Sequence, residues 1–250
     1  MKIPTYVINL KTSYARKEYM KRILFPYKDL DVTFVEAVDG RLLSEVQLQT
    51  IFDMQACVQR NGRIINPGEI GCTLSHRKCY QKVLDSASSY VLILEDDISI
   101  VGNMNAAIND TVTDFMNSKK PRILFLSGDY WYWRKKTITK VCWAVGGYAY
   151  FINRAAIERI LKMGKPFSVA DDWDLYKANG VGLYAIHPYV IDANISGFSS
   201  DVQQSYWGNK RSLMSKKNIL RSYYMGFIKR CLLWAGHFES KIRNEGSLES

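Results

Sequence analysis

The chain has 250 residues, 47% of them hydrophobic, and a formal net charge of +10. That length suits one large α/β domain or two small ones, and the absence of any apolar run of ~18 residues excludes a spanning helix. Five cysteines, an odd number with no Cys-x-x-Cys pair, indicate neither a disulfide framework nor a zinc cluster and fit a reducing cytosol. Thr5–Leu10 reads as a first strand, and the N-terminus is too short and strand-like for a signal peptide. Ser13 then caps a helix over Tyr14–Phe25, and Val32–Ala37 is a second strand. Ser44 and Gln47 have capping-box spacing for a helix to Phe52. Asn66, Pro67 and Glu69 form a stronger start signal, for a helix running to about Asp85. Strand Tyr90–Leu94 follows, then a helix over Asn103–Met116, a strand over Arg122–Leu126 and one long strand over Cys142–Ile152, weakened at Gly146-Gly147. A helix over Arg154–Lys162 and a late strand over Gly182–Ile186 complete the pattern. Strands alternating with helices predict a mostly parallel sheet covered on both faces.

The densest chemical signal is Val91-Leu92-Ile93-Leu94-Glu95-Asp96-Asp97. A short apolar run bounded by polar residues reads as a buried strand, and ligands of open α/β sheets bind just beyond such strand ends. Three carboxylates there repel one another, and a hard divalent cation with oxygen ligands relieves that repulsion. The plainer alternative is a solvated loop or a helix cap. In Pro67-Gly68-Glu69-Ile70-Gly71-Cys72-Thr73-Leu74-Ser75-His76, Gly71 lets a backbone or ligand approach closely, and the helix N-terminus favours anions. His76 reads either as part of that site or as a core histidine. Asp171-Asp172 offer a general base or, alternatively, a helix cap. The aromatics of Tyr130-Trp131-Tyr132-Trp133 read as a loop that packs or binds sugar rings.

Residues 209–243 hold nine lysines and arginines and one acid, so that segment carries +8 of the +10. Leu220, Tyr223, Tyr224, Phe227, Cys231, Trp234 and Phe238 recur at helical spacing. A basic amphipathic helix of this kind suits an anionic membrane surface; the alternative is a final helix docked on the core. A charge confined to one segment does not resemble the basic stripe of a nucleic-acid binder. The chain therefore divides into a body over 1–208, a basic aromatic segment over 209–243 and a frayed tail over 244–250.

In order, these blocks resemble glycosyltransferase family 25, which contains bacterial lipooligosaccharide galactosyltransferases and animal collagen galactosyltransferases. The resemblance rests on Val7-Ile8-Asn9-Leu10 with Arg16, on Glu36-Ala37-Val38-Asp39-Gly40 and on Pro67-Gly68-Glu69-Ile70-Gly71-Cys72 with Leu74-Ser75-His76. Leu94-Glu95-Asp96-Asp97, Gly147-Tyr148-Ala149-Tyr150 and Asp171-Asp172 continue it. It implies a GT-A type fold and inverting transfer of galactose from UDP-galactose, assisted by Mn²⁺ or Mg²⁺. It implies that Asp97, assisted by Glu95, holds the metal and that Asp171 or Asp172 is the base. Asn9, Arg16, Ala37, Asp39, Glu69, Ser75, His76, Glu95 and Asp96 would line the nucleotide-sugar site. His187 is a weaker metal candidate and reads more naturally as structural. The expected setting is the cytoplasmic face of a bacterial inner membrane, with a lipooligosaccharide acceptor. The competing expectation is a non-catalytic sugar- or membrane-binding protein that keeps the fold.

Overall fold

A computed structural model describes residues 2–193 and 213–239. Of the basic segment, Lys210, Arg211, Lys241 and Arg243 lie outside the described residues, as do the 208/209 boundary and the tail over 244–250.

β1 (Ile3–Asn9) pairs in parallel with β2 (Leu30–Glu36) on one side and with β3 (Tyr90–Glu95) on the other. β3 is buried along its apolar run, as two-faced coverage requires. The described residues build a nine-stranded mixed sheet. Beyond β3 come β8 (Ala149–Asn153), antiparallel to both neighbours, then β5 (Arg122–Phe125) and β9 (Gly182–Ile186), which pair in parallel. β7 (Ile138–Ala144), β6 (Tyr130–Tyr132) and β11 (Phe238–Glu239) extend the far edge in antiparallel fashion. Parallel pairing thus dominates the half of the sheet that carries the acids. Alternate residues of β3 enter opposite cores. Val91 and Ile93 pack under α4 (Pro67–Leu84), α7 (Arg154–Leu161) and α8 (Trp173–Ala178). Leu92 and Leu94 pack under α1 (Tyr14–Leu24) and the short helices α5 (Met104–Ala107) and α6 (Asp110–Met116). α2 (Glu45–Ile51) and α3 (Met54–Asn61) enclose a third, small core around Phe52, Cys57, Ile65 and Ile70. β4 (Ile98–Ile100) and β10 (Ile191–Ala193) form a separate ribbon.

The predicted Ser44–Gln47 capping box forms, and the start signal at Asn66, Pro67 and Glu69 begins α4 with a second capping box. Three expectations are corrected. The single helix over 103–116 is two helices, because the Asn109 side chain accepts from the Val112 N–H and starts a new cap. The single strand over 142–152 is β7 and β8, which are not neighbours; the chain breaks at Gly146, whose φ of +76° favours glycine. The aromatic loop begins as strand β6, with Tyr130 and Tyr132 buried and Trp131 between them half-buried. No described helix is long and apolar enough to cross a membrane.

Candidate active site

The carboxyl ends of β2, β1 and β3 lie side by side, and a cavity of about 120 Å³ opens beyond them. Arg16, Ala37, Asp39, Ser75, His76 and all three acids, Glu95 to Asp97, line it. The three acids are in different states. Asp96 is buried; it accepts from Asn9 Nδ2 at 2.6 Å and from Arg16 Nη1 at 2.8 Å. Burial pushes its pKa up, while Arg16 and Asn9 pull it back. Asp97 meets Arg16 only at 3.5 Å, and burial together with the Glu95 charge pushes it up to about 6. Glu95 has no cation of its own within salt-bridge range among the described residues, apart from the neutral-or-charged ring of His76 at 3.3 Å. Glu95 and Asp97 therefore keep carboxylate oxygens without full compensation. That is the donor set a hard ion such as Mn²⁺ or Mg²⁺ takes.

The opposite wall is the first half of α4. It approaches the 38–40 turn so closely that a Cβ on Gly71 would lie 2.5 Å from Val38 O and 2.6 Å from Gly40 N. Ser75 Oγ donates to Gly71 O at 2.7 Å and accepts from Val38 N–H at 2.8 Å. The backbone approach expected at Gly71 is thus made by the protein's own turn. Ser75 is occupied in holding it. Asp39 caps the 3₁₀ turn over Gly40–Leu42, and its hydrogen bonds from Arg41 hold its carboxyl below the usual range. Glu69 stands apart: Arg63 grips both of its oxygens, at 2.7 and 2.5 Å, and it completes the Asn66 cap rather than lining the cavity. Its contacts are those of a structural residue. His187 pairs with Glu239 at 3.3 Å on the far sheet edge, not with the acids of β3.

The late pair separates cleanly. Asp172 is spent on structure: Arg60 Nη2 and Nε bind it at 2.7 and 2.8 Å, Ser168 Oγ donates at 2.6 Å, and it caps α8 through Leu175 N–H. Asp171 accepts from Gly146 N–H at 3.2 Å and pairs with no cation within 4.0 Å among the described residues. Burial, then the Glu95 charge, raises its pKa. Asp171 and Glu95 therefore feel each other across the wall of the cavity. On its other side Asp171 lines a larger cleft of about 720 Å³, with Trp143 and Val145 on one wall. The second wall is α9 (Lys216–Trp234), anchored by Arg221 on Asp174 and by Lys229, whose ammonium lies 3.3 Å from the centre of the Trp143 ring. Most of the apolar stripe predicted on this helix faces outward, since Leu220, Tyr223, Tyr224, Phe227, Cys231 and Trp234 are all exposed, but Phe238 lies beyond the helix on β11, its ring 4.2 Å from that of Trp131.

Two features were invisible in the linear order. Arg60, on a helix not expected from the sequence, reaches Asp172, 112 positions away. Cys72, His76 and Glu95 bring one ligand atom each within 4.8 Å of one another. The grouping holds a single cysteine, so the expectation of no cluster built from paired cysteines is not tested by it. The spacing of Cys72 and His76, four apart on α4, was the available signal.

Residues 2–145, more than half of the chain, match the family described as glycosyltransferase family 25 (LPS biosynthesis protein). Human procollagen galactosyltransferase 2 is 35% identical over 96 residues, 37% of this chain and 15% of that protein. A glycosyltransferase 25 family member of Aedes aegypti is 40% identical over 96 residues, covering 37% and 16%. Human inactive glycosyltransferase 25 family member 3 is 29% identical over 112 residues, covering 44% and 19%. The aligned stretch is thus less than a fifth of each of these relatives. The inositol-1-phosphate CTP transferase from T. maritima superposes with a TM-score of 0.39 at 10% identity, over 89% of this chain and 96% of that one, which is too distant to bear on function. Matched over its first three β-strands, the α4 motif and the acidic strand end, the chain belongs to glycosyltransferase family 25.

Proposed function

We propose that the protein transfers galactose from UDP-galactose to a hydroxyl of a lipooligosaccharide-type acceptor, with inversion and with Asp171 as the base. One observation carries this reading. Asp97, on the smaller cavity, and Asp171, on the larger cleft, both feel the charge of Glu95; Glu95 and Asp171 pair with no lysine or arginine among the described residues, and Asp97 has only the 3.5 Å contact of Arg16. The smaller cavity suits the donor and the larger cleft the acceptor. Asp97 and Glu95 would hold Mn²⁺ or Mg²⁺, which when bound neutralises charge on the departing diphosphate. Asp171 takes the proton of the acceptor hydroxyl as its oxygen forms the new bond to the anomeric carbon. The bond from that carbon to the UDP oxygen breaks on the opposite face. A carboxylate whose pKa is raised by burial is a better proton acceptor than a solvated one, provided it is ionised at working pH.

Asp171→Asn tests the assignment. Turnover of UDP-galactose should fall about 100- to 10,000-fold while UDP still binds. Near-normal turnover would remove Asp171 from the role. The alternative, a non-catalytic binding protein that keeps the fold, is favoured by the relative named inactive. Absence of UDP release by the unaltered protein on a panel of acceptors would decide for it.

The outward aromatic face of α9 supports a peripheral position on an anionic membrane, at the cytoplasmic face of a bacterial inner membrane. The same helix walls the cleft beside Asp171, so a lipid-linked acceptor would meet the site at the bilayer surface.

A further inference from the structure

We propose that Cys72, His76 and Glu95 form a site for a borderline divalent ion, Zn²⁺ above all, with the fourth position open to the cavity. Thiolate, imidazole and carboxylate are the ligand types Zn²⁺ takes, and three protein ligands with an open place is the pattern of an accessible zinc centre. Atoms bound to one Zn²⁺ at ~2.0–2.3 Å lie roughly 3.5 Å apart. The three ligand atoms already lie within 4.8 Å of one another, so side-chain rotation of about an ångström closes the set. Cys72 and His76 share one face of α4, and Glu95 ends β3 directly opposite. All three line the cavity, which supplies the entry path.

The buried partners of His76 permit this binding and limit its strength. Nδ1 lies 2.7 Å from Tyr150 Oη, and Tyr150 Oη lies 2.7 Å from Tyr80 Oη. Without an ion, every proton is placed if Tyr80 donates to Tyr150, Tyr150 donates to Nδ1, and Nε2–H donates to Glu95 at 3.3 Å. An ion needs the Nε2 lone pair. The ring proton then sits on Nδ1 and is accepted by Tyr150 Oη, and the Cys72 thiol releases its proton to water. Tyr150 then turns its own O–H to Tyr80 Oη, and the Tyr80 hydrogen loses the acceptor it had in Tyr150, so the site is weaker than a closed structural one. The outer hydrogen bond to Nδ1 still fixes the ring, as at known zinc histidines. Occupation would withdraw Glu95 from the hard ion, so Zn²⁺ would inhibit transfer. That consequence rests on the proposed function; the site does not.

The probe is Co²⁺, added to the full chain after chelator treatment and under reducing conditions. A sulfur-to-cobalt charge-transfer band should appear, saturate at one ion per chain and be displaced by Zn²⁺. Cys72→Ser should abolish the band, and Cys231→Ser, at an exposed thiol on α9, should leave it intact. Glu95→Gln should keep the band and weaken Co²⁺ binding by about tenfold or more. No band in the unaltered protein, or a band that survives in Cys72→Ser, overturns the proposal. If Cys72→Ser fails to fold, an unchanged Co²⁺ affinity in Glu95→Gln overturns it instead.

Discussion

Replacing Asp97 by Asn should make the metal-free protein more stable. The folded carboxyl titrates at about 6 instead of 3.8, chiefly because it is buried and secondarily because Glu95 lies beside it. Ionising it therefore costs the folded state. The sign follows from that direction: the stability contributed by the protonated group is complete below 3.8 and is lost as pH rises through about 6. The full difference corresponds to about 3 kcal/mol above pH 7 and about half of that at pH 5. The side chain is 26% exposed, so solvent screening reduces both figures, and a gain of about 1–3 kcal/mol at pH 7.5 is expected. In return the substitution weakens the long 3.5 Å contact with Arg16 and the hydrogen bond that the carboxylate accepts from the backbone of Asp97 itself. Urea unfolding in chelator at pH 5 and pH 7.5, for both proteins, measures the effect. The advantage of Asp97→Asn should grow between the two pH values. Adding Mn²⁺ should then stabilise the unaltered protein and leave the variant unchanged, because binding to the folded state alone raises its stability. A variant that is less stable in chelator at pH 7.5, or one that gains equally from Mn²⁺, would refute the reasoning.

Asp172→Asn should behave oppositely to Asp171→Asn. It breaks a nearly buried pair with Arg60, costing about 3 kcal/mol, or roughly 10 °C in melting temperature, while the folded fraction keeps its activity. Gly71→Ala should lower melting temperature and weaken UDP binding, since its Cβ would meet backbone on two sides and overpacking costs about 1–3 kcal/mol. Gly226→Ala on α9 is the contrast: its Cβ would meet nothing, so the helix should gain up to ~1 kcal/mol, read from the same melts. Changing Tyr224, Phe227 and Trp234 together to Ser should leave the melt unchanged and reduce flotation with anionic vesicles on the order of 100-fold; undiminished flotation would exclude the α9 face.

What the sequence made legible was local. Pro67 with the Asn66–Glu69 box marked the start of α4, and the apolar run before Glu95 marked a covered strand. Readings that depended on distant partners were less secure. Gly146-Gly147 looked like a weak point in one strand, yet its φ of +76° and the Trp173 Nε1–H donated to Gly146 O make it a turn between two separated strands. The alternation in Tyr130-Trp131-Tyr132 fits a strand as well as a loop, and only the pairing with β7 decides between them. The stripe on α9 was found by its period, but periodicity does not say which face is covered. Here Arg221 and Lys229 bind the body of the protein, and the apolar stripe is left outside. The choice between Asp171 and Asp172 was likewise closed to sequence, because Arg60 arrives from α3.

These residues divide six acids into two kinds. Asp96, Asp172 and Asp174 are each held by an arginine, and Asn9 or Ser168 adds a further bond to the first two. Such acids support the framework, and removing their partners would leave buried charge unpaired. Glu95 and Asp171 have no arginine or lysine within reach among the described residues, Asp97 has only the long 3.5 Å contact of Arg16, and Asp97 and Asp171 have raised pKa values. Repulsion among them is not an accident of burial alone, since Glu95 is the second cause of both shifts. A framework that compensates Asp96 from two sides yet leaves its neighbours at 95 and 97 facing the cavity has concentrated its unfavourable electrostatics in one place. A cation there, or a proton taken from an acceptor, would relieve that cost. On the proposed reading, the electrostatic cost carried by these acids and the transfer chemistry have one source, and a variant that removes one should remove the other.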